Sequence, residues 1–208
     1  MIPLNYPRPD HGLHFTTPVR VWDEALPMGN GVLGALLWGD GLPLKISIDR
    51  SDLWDLRPVP EFQSPEYSFD QMRRWHEEGR AADLVRLYEE PYRRPAPTRI
   101  PAGRIEISMG SRPEFSETFL YPGNALATIR FITERAEAFV HAVEPVGMVR
   151  ISRSPRNAVK LVAPPFSSGD LAKLGYPATR ETSGDRWQAY AQQGAGGFHY
   201  AAYFTWRA

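Results

Sequence analysis

Residues 18–55 read PVRVWDEALPMGNGVLGALLWGDGLPLKISIDRSDLWD. The stretch holds a tight Gly29-Asn30-Gly31 turn, two short apolar runs and three of the six tryptophans. Gly29 to Gly34 spells G-x-G-x-x-G, the spacing of a dinucleotide-binding loop. That chemistry needs a strand before the glycines and a helix after them, whose N-terminus holds the pyrophosphate. Before the glycines stands Pro27, a poor central-strand residue because proline cannot donate to a ladder. After Gly34 come only four apolar residues, and then Gly39-Asp40-Gly41 ends the element. The helix has no room, which excludes the nucleotide reading. Gly-Asn-Gly reads instead as a turn at positive φ, where Asn is the best tolerated residue after Gly. Leu33–Trp38 and Leu44–Asp49 are then the arms of a half-buried hairpin, with Leu44, Ile46 and Ile48 on one face and Lys45, Ser47 and Asp49 on the other. A further short strand is expected over residues 19–22.

Outward from this hairpin the chain is loop-rich and mostly extended. Residues 1–18 carry Pro3, Pro7, Pro9 and Pro18 and read as an extended lead-in. Residues 56–67 are a Pro-rich loop. A helix should start at Ser68, where Ser68 and Gln71 make a capping box and Tyr67 and Met72 occupy the staple positions. Its apolar stripe is Phe69, Met72 and Trp75 or His76, with Asp70–Arg74 and Arg74–Glu78 spaced as i,i+4 ion pairs. Gly79 interrupts it before a second helical segment over residues 81–90. Strands follow at residues 104–109, 115–121, 125–131, 136–143, 148–153, 158–162, 187–192 and 199–206, with a Pro/Gly/Ser-rich loop over 164–180. Strands at this spacing, separated by turns, predict a sandwich or barrel. The expected fold class is mainly β, with one short helical insertion.

Composition sets limits. At 208 residues, the chain is long enough for one sizeable core. Twenty-four basic and 24 acidic residues balance, which argues against nucleic acid or an anionic membrane as the main partner. The absence of Cys excludes disulfides, thiolate catalysis and Cys-based zinc sites. The N-terminus has no apolar h-region, so no signal peptide is read and the cytoplasm is the expected compartment. No apolar run reaches the length of a membrane span.

Few motifs carry chemistry. His11 and His14 are three apart but lack a carboxylate third ligand, and His76-Glu77 lacks the second His of H-E-x-x-H. No metal or cofactor is expected. What remains is a run of acids, Asp23, Glu24, Asp49, Asp52 and Asp55, interleaved with Trp22, Trp38 and Trp54. Paired carboxylates beside aromatic faces are the apparatus of glycoside hydrolysis. The same residues also serve ordinary roles: Trp54 in a core, Asn30 in a turn, Glu24 as an acceptor at a strand end.

The run Trp22-Asp23-Glu24-Ala25-Leu26-Pro27-Met28-Gly29-Asn30-Gly31-Val32-Leu33-Gly34-Ala35 resembles the N-terminal signature of glycoside hydrolase family 95, W-x-E-A-L-P, a hydrophobic residue, then G-N-G-x-L-G. Ile48 to Asp55 occupies the place of the family's L-N-E-D-T-L-W-S-G segment, with Asp49 and Arg50 where the family has Asn-Glu. Pro97 to Ile107 is more loosely similar to its strand entry with P-x-G-R-L-x-L. Family 65 shares the architecture and a G-N-G-x-x-G signature. The resemblance implies an N-terminal β-super-sandwich that packs onto a catalytic α/α-barrel through a helical linker. In such enzymes, mostly inverting α-L-fucosidases and related exo-glycosidases, the barrel carries the catalytic acid and base.

Nothing after residue 110 resembles that barrel. The chain end, in an aromatic strand without a cap or polar tail, is expected of a piece cut from a longer protein. The expectation is therefore one non-catalytic domain over residues 1–208, truncated or detached from the barrel, with no catalytic residue of its own. Its partner would be a barrel in the same or a neighbouring gene product, with an oligosaccharide as a further candidate ligand. Glu24, Asn30 and Trp54 are the candidate substrate-rim residues. Three rivals stand beside this reading: a free-standing carbohydrate-binding module, a small complete enzyme using the acids at 49–55, and an oligomerising β domain without a ligand.

Overall fold

The computed structural model describes residues 7–110, 113–152 and 159–207. They form fifteen strands and a few short helices. In chain order the first strands are β1 (Leu13–Phe15), β2 (Leu26–Gly29), β3 (Leu33–Trp38), β4 (Leu44–Arg50) and β5 (Trp54–Asp55). Helices α1 (Phe69–Glu77) and α2 (Ala81–Leu84) follow, then β6 (Thr98–Arg99) and β7 (Arg104–Ile107). Next come β8 (Phe115–Tyr121), β9 (Leu126–Phe131), β10 (Arg135–Val140), β11 (Gly147–Ile151) and β12 (Val159–Val162). Helix α3 (Gly169–Ala172), β13 (Arg180–Gly184), β14 (Trp187–Gln193) and β15 (His199–Thr205) complete the chain.

Two antiparallel five-stranded sheets form a sandwich, one ordered β1-β8-β9-β10-β11 and the other β12-β7-β4-β3-β2. The period-2 pattern decides which side chains meet between them. Leu44 and Ile46 of β4, Ile105 and Ile107 of β7, and Leu37 of β3 face Ala127, Ile129 and Phe131 of β9 and Ala136, Ala138 and Val140 of β10 in one buried cluster. Each fully buried Leu or Ile contributes about 1.5–3 kcal/mol. The alanines of β9 and β10 leave room for the larger residues opposite, which keeps the interior dense.

The expected hairpin of β3 and β4 forms, paired from Leu33↔Arg50 to Trp38↔Lys45. Pro27 lies in β2, which pairs with β3 at the sheet edge, where a missing N–H is tolerated. Residues 19–21 are not a strand, and Trp22–Glu24 is a turn of 3-10 helix. Three short strands and one polar one escape the alternation rule. β1, β5 and β6 have two or three residues each, and every residue of β13 is exposed, so it has no buried face to mark it. Residues 153 and 158, the expected ends of two strands, lie outside the described residues.

The helical insertion springs from a two-stranded neck in which Trp54 pairs with Arg99 and Asp55 with Thr98. Ser68 caps α1 by accepting from the Gln71 N–H at 3.3 Å. Tyr67, expected at a staple position, stacks on Tyr88, whose hydroxyl meets the Ser68 backbone. The ion pairs also differ from expectation. Arg73, not Arg74, reaches both Asp70 and Glu77, each at 3.9 Å. Trp75 is buried, whereas Phe69 is 74 % exposed and Met72 38 %. Beyond Gly79, α2 runs on into a π-helical turn over Val85–Glu89.

β13, β14 and β15 form a third sheet. Tyr190 of β14 enters the sandwich core and donates to the Ala102 carbonyl. Tyr200 of β15 donates to the Pro101 carbonyl at 2.9 Å, and burial pushes its hydroxyl up to about 12. Gly103, at φ +83°, permits this approach, since a Cβ there would lie 2.4 Å from the Val162 oxygen and 3.1 Å from the Tyr190 hydroxyl. The Gln188 carboxamide accepts from the Leu161 N–H at 2.6 Å and donates to the Val159 carbonyl at 3.2 Å, so it occupies the outer edge of β12.

One side chain joins the ends of the two sandwich sheets. Asn30 Nδ2 donates to the carbonyls of His141 (2.9 Å) and Glu144 (3.0 Å) in the β10–β11 turn. Its Oδ1 accepts from the N–H groups of Val32 (3.0 Å) and Leu33 (2.9 Å) in its own turn. We predict that Asn30→Ala destabilises the chain by about 1–2 kcal/mol, because four hydrogen bonds are lost but only the one to Leu33 is part-buried, and water replaces the others. Asn30→Asp should also destabilise, since a carboxylate would face two carbonyl oxygens. Urea unfolding midpoints of both variants check this.

Candidate functional site

The β2–β3, β4–β5 and β10–β11 turns gather at one end of the sandwich. The Asn30 bonds tie the first to the third, and the Ser51 N–H donates to the Val32 carbonyl at 2.9 Å, tying the first to the second. Two of the three candidate rim residues, Asn30 and Trp54, therefore share this end. Trp54 is 40 % exposed and is not a core residue. Its indole N–H donates to the Ser51 carbonyl at 3.1 Å, and the Arg99 guanidinium lies 5.5 Å from its ring centre. Glu24 lies elsewhere. It is exposed in the 3-10 turn before β2, at the opposite end of that strand from Asn30.

The tryptophans and acids that are neighbours in sequence separate in space for the same reason. Trp22, 63 % exposed, sits with Asp23 and Glu24 beyond one end of β2. Trp38 closes the far end of β3, where its indole donates to Ser47 at 2.9 Å and Lys45 lies over its ring at 4.2 Å. Asp49, Asp52 and Trp54 lie toward the Asn30 end.

Each acid of the 49–55 run is bound to an arginine. Asp49 pairs with Arg99. Asp52 takes two bonds from Arg50, at 2.7 and 3.0 Å, which hold its carboxyl below the ordinary range. Asp55 is buried beside Arg57, whose nearest nitrogen is 2.8 Å away, and Tyr176 donates to it at 2.6 Å. Burial opposes its charge, but the Arg57 and Tyr176 bonds outweigh that and hold it low. The Tyr176 hydroxyl is pushed up, first by burial and then by its bond to this carboxylate. A general acid for glycoside cleavage needs a raised pKa, and these two carboxyls move the other way. The cluster fastens structure together. Asp55 holds the insertion neck, and Arg57 Nη2 reaches the Leu174 carbonyl at 3.1 Å.

Arg99 and Tyr176 were not legible as parts of this site. They lie 50 residues from Asp49 and 121 from Asp55 in the chain, and no local pattern marks them. His14, read as half of a His pair, bonds Glu117 at 2.9 Å instead. Among the described residues no group of three His, Asp or Glu side chains is placed to hold a metal ion. No helix among them is long and apolar enough to cross a membrane.

Asp55 makes a pH prediction. Its folded pKa is depressed, so it stabilises the fold above its unfolded value, near pH 4, and that contribution is lost as pH falls through the folded value. Asp55→Ala should cost about 2–3 kcal/mol at neutral pH, the half-exposed Arg57 keeping the loss below that of a fully buried pair. Urea melts between pH 2 and pH 7 should show a smaller loss of stability on acidification in Asp55→Asn than in the parent.

The model of the glycosyl hydrolase family 65 N-terminal domain matches residues 13–170. The match runs from β1 to the start of α3 and takes in both sandwich sheets, the insertion and the Asn30 turn. No curated protein matches the chain. With the greater part of its length covered, including the whole sandwich, the chain belongs to the glycosyl hydrolase family 65 N-terminal domain family.

Proposed function

We propose that the chain is the non-catalytic N-terminal domain of a family 95-like glycoside hydrolase of α-L-fucosidase type. It braces an α/α-barrel that carries the catalytic acid and base, in the same or a neighbouring gene product. Residues 1–208 act as one accessory unit, and the loop end at Asn30 faces the sugar pocket. There Trp54, with Arg99 beside it, lends a ring to the rim, while Asn30 fixes the loop that carries it. Glu24, at the other end of β2, contributes to a different stretch of the interface with the barrel.

The observation that carries this reading is the pairing of every acid in the 49–55 run with an arginine. Asp52 and Asp55, tied to arginines and held below the ordinary carboxylate range, are ill suited to donate a proton to a leaving group. Membership of a glycosyl hydrolase N-terminal family then supports chemistry housed in a second domain.

Two measurements test it. Sequencing of the gene and its neighbours should reveal an α-helical barrel, and the 208-residue chain alone should not turn over aryl α-L-fucosides. Turnover by the isolated chain, abolished in Asp52→Asn, would overturn the proposal. In the assembled enzyme, Trp54→Ala should lower kcat/KM about tenfold, mostly through KM, as expected for lost rim contact rather than lost chemistry.

A further inference from the structure

The outer face of the β1-β8-β9-β10-β11 sheet carries a pair of aromatic rings that the core does not use. Alternation along β8 sends Thr118 and Leu120 inward and leaves Phe119 and Tyr121 outside, both partly exposed. Their planes lie within 17° of each other, with centroids 6.5 Å apart. Both rings lean onto backbone that glycine leaves bare. A Cβ at Gly12 would come within 3.0 Å of the Phe119 ring, and one at Gly123 within 2.8 Å of the Tyr121 ring. Tyr121 is further held by its hydroxyl, which donates to the Pro7 carbonyl at 3.1 Å. The apolar strip continues on the same face to Phe139 and Met148, a cross-strand pair whose Met148 is 61 % exposed.

Beside the rings runs a row of planar polar groups. His14, directly opposite Phe119, meets its ring edge-on and bonds Glu117, which also binds Arg130. Glu137 binds Arg150 at 2.8 Å. Arg135 also reaches Glu137, at 3.7 Å, so three arginines share two carboxylates on this face. A polyanion such as nucleic acid would find each arginine already engaged by a carboxylate. An uncharged, hydroxyl-rich chain fits better. Its apolar C–H faces can lie on the two rings, while its hydroxyls exchange bonds with Glu, Arg and His groups already held in place.

We infer that this face is a carbohydrate-binding surface for an uncharged oligosaccharide, with Phe119 and Tyr121 as its platform. It lies on the outer face of the sheet and borders the β10–β11 turn that Asn30 grips, and it does not depend on which catalytic domain the chain serves. In a glycosyl hydrolase it would hold a polymeric substrate near the enzyme without taking part in cleavage.

The test uses the 208-residue chain and titration calorimetry with cellohexaose, xylohexaose, mannohexaose and laminarihexaose. At least one sugar should bind. Phe119→Ala and Tyr121→Ala should each weaken it about tenfold, with the fold retained by circular dichroism despite lower melting temperatures, and Trp54→Ala should leave it unaltered. NMR shift mapping on the parent chain gives a readout that needs no variant, and the perturbed amides should centre on residues 14, 119 and 121. No binding to any of the four sugars overturns the inference, as do shifts centred elsewhere. Loss of barrel association in the same variants without sugar binding would assign the face to protein contact and also overturn it. A null sugar result with an intact barrel assembly leaves the accessory role standing, and sugar binding without any barrel in the gene does the reverse.

Discussion

The fold hangs on the saturation of one carboxamide. Asn30 uses two donors and two acceptor positions, all that the group possesses, and directs them at two turns that belong to different sheets. The apolar core between the sheets is strong but non-directional, and it does not by itself fix where one sheet ends relative to the other. The Asn30 bonds supply that reference point. The flanking glycines serve the same purpose. Gly31, at φ +87°, lets the turn close, and a Cβ on Gly29 would press on the Leu33 oxygen at 3.0 Å. The Gly-Asn-Gly run, which by spacing resembles a phosphate loop, is a clasp between layers.

The long strands were legible because they have one wet face and one dry one. β3 and β4 lie where alternation and the Gly39-Asp40-Gly41 turn put them, and β8 matches its expected span residue for residue. β13 was not legible, since Arg180-Glu181-Thr182-Ser183-Gly184 buries neither face and is a strand only through its pairing with β14. The α1 cap was readable, whereas its ion pairs were not, because Arg73 and Arg74 are equally spaced from acids and rotamers choose between them. The site was harder still. Closeness in sequence placed Trp22, Trp38 and Trp54 together, but a strand separates neighbours by its length, so residues at its two ends diverge. Arg50 and Arg57 pair with Asp52 and Asp55 from two residues away, whereas Arg99, the partner of Asp49, arrives from beyond a long insertion.

That insertion is attached economically. A two-stranded neck, the Asp55–Arg57–Tyr176 network and a small second core of Leu53, Ile100, Phe166 and Leu174 hold its base. The same elements receive the third sheet, whose Tyr190 and Tyr200 hydroxyls reach two consecutive carbonyls at Pro101 and Ala102. Ordering of the insertion base and docking of the C-terminal strands are thus coupled through shared residues. The Asn30 turns are fastened by backbone-directed bonds, and Trp54, paired with Arg99 in the neck, links that end to the insertion base.

Gln188 has a consequence for how molecules of this protein meet one another. A sheet edge invites any extended chain to continue the ladder, and proteins suppress this in several ways. Here a single side chain performs the role of a strand, matching one N–H and one carbonyl of β12 with the two halves of its amide. Among the described residues, the Gln188 amide is the side chain that bonds the outer edge of β12. It is also covalently part of β14, so it stays in place only while the third sheet is docked. Detachment of the C-terminal strands would expose a ready template, which makes their docking a safeguard of solubility as well as of shape.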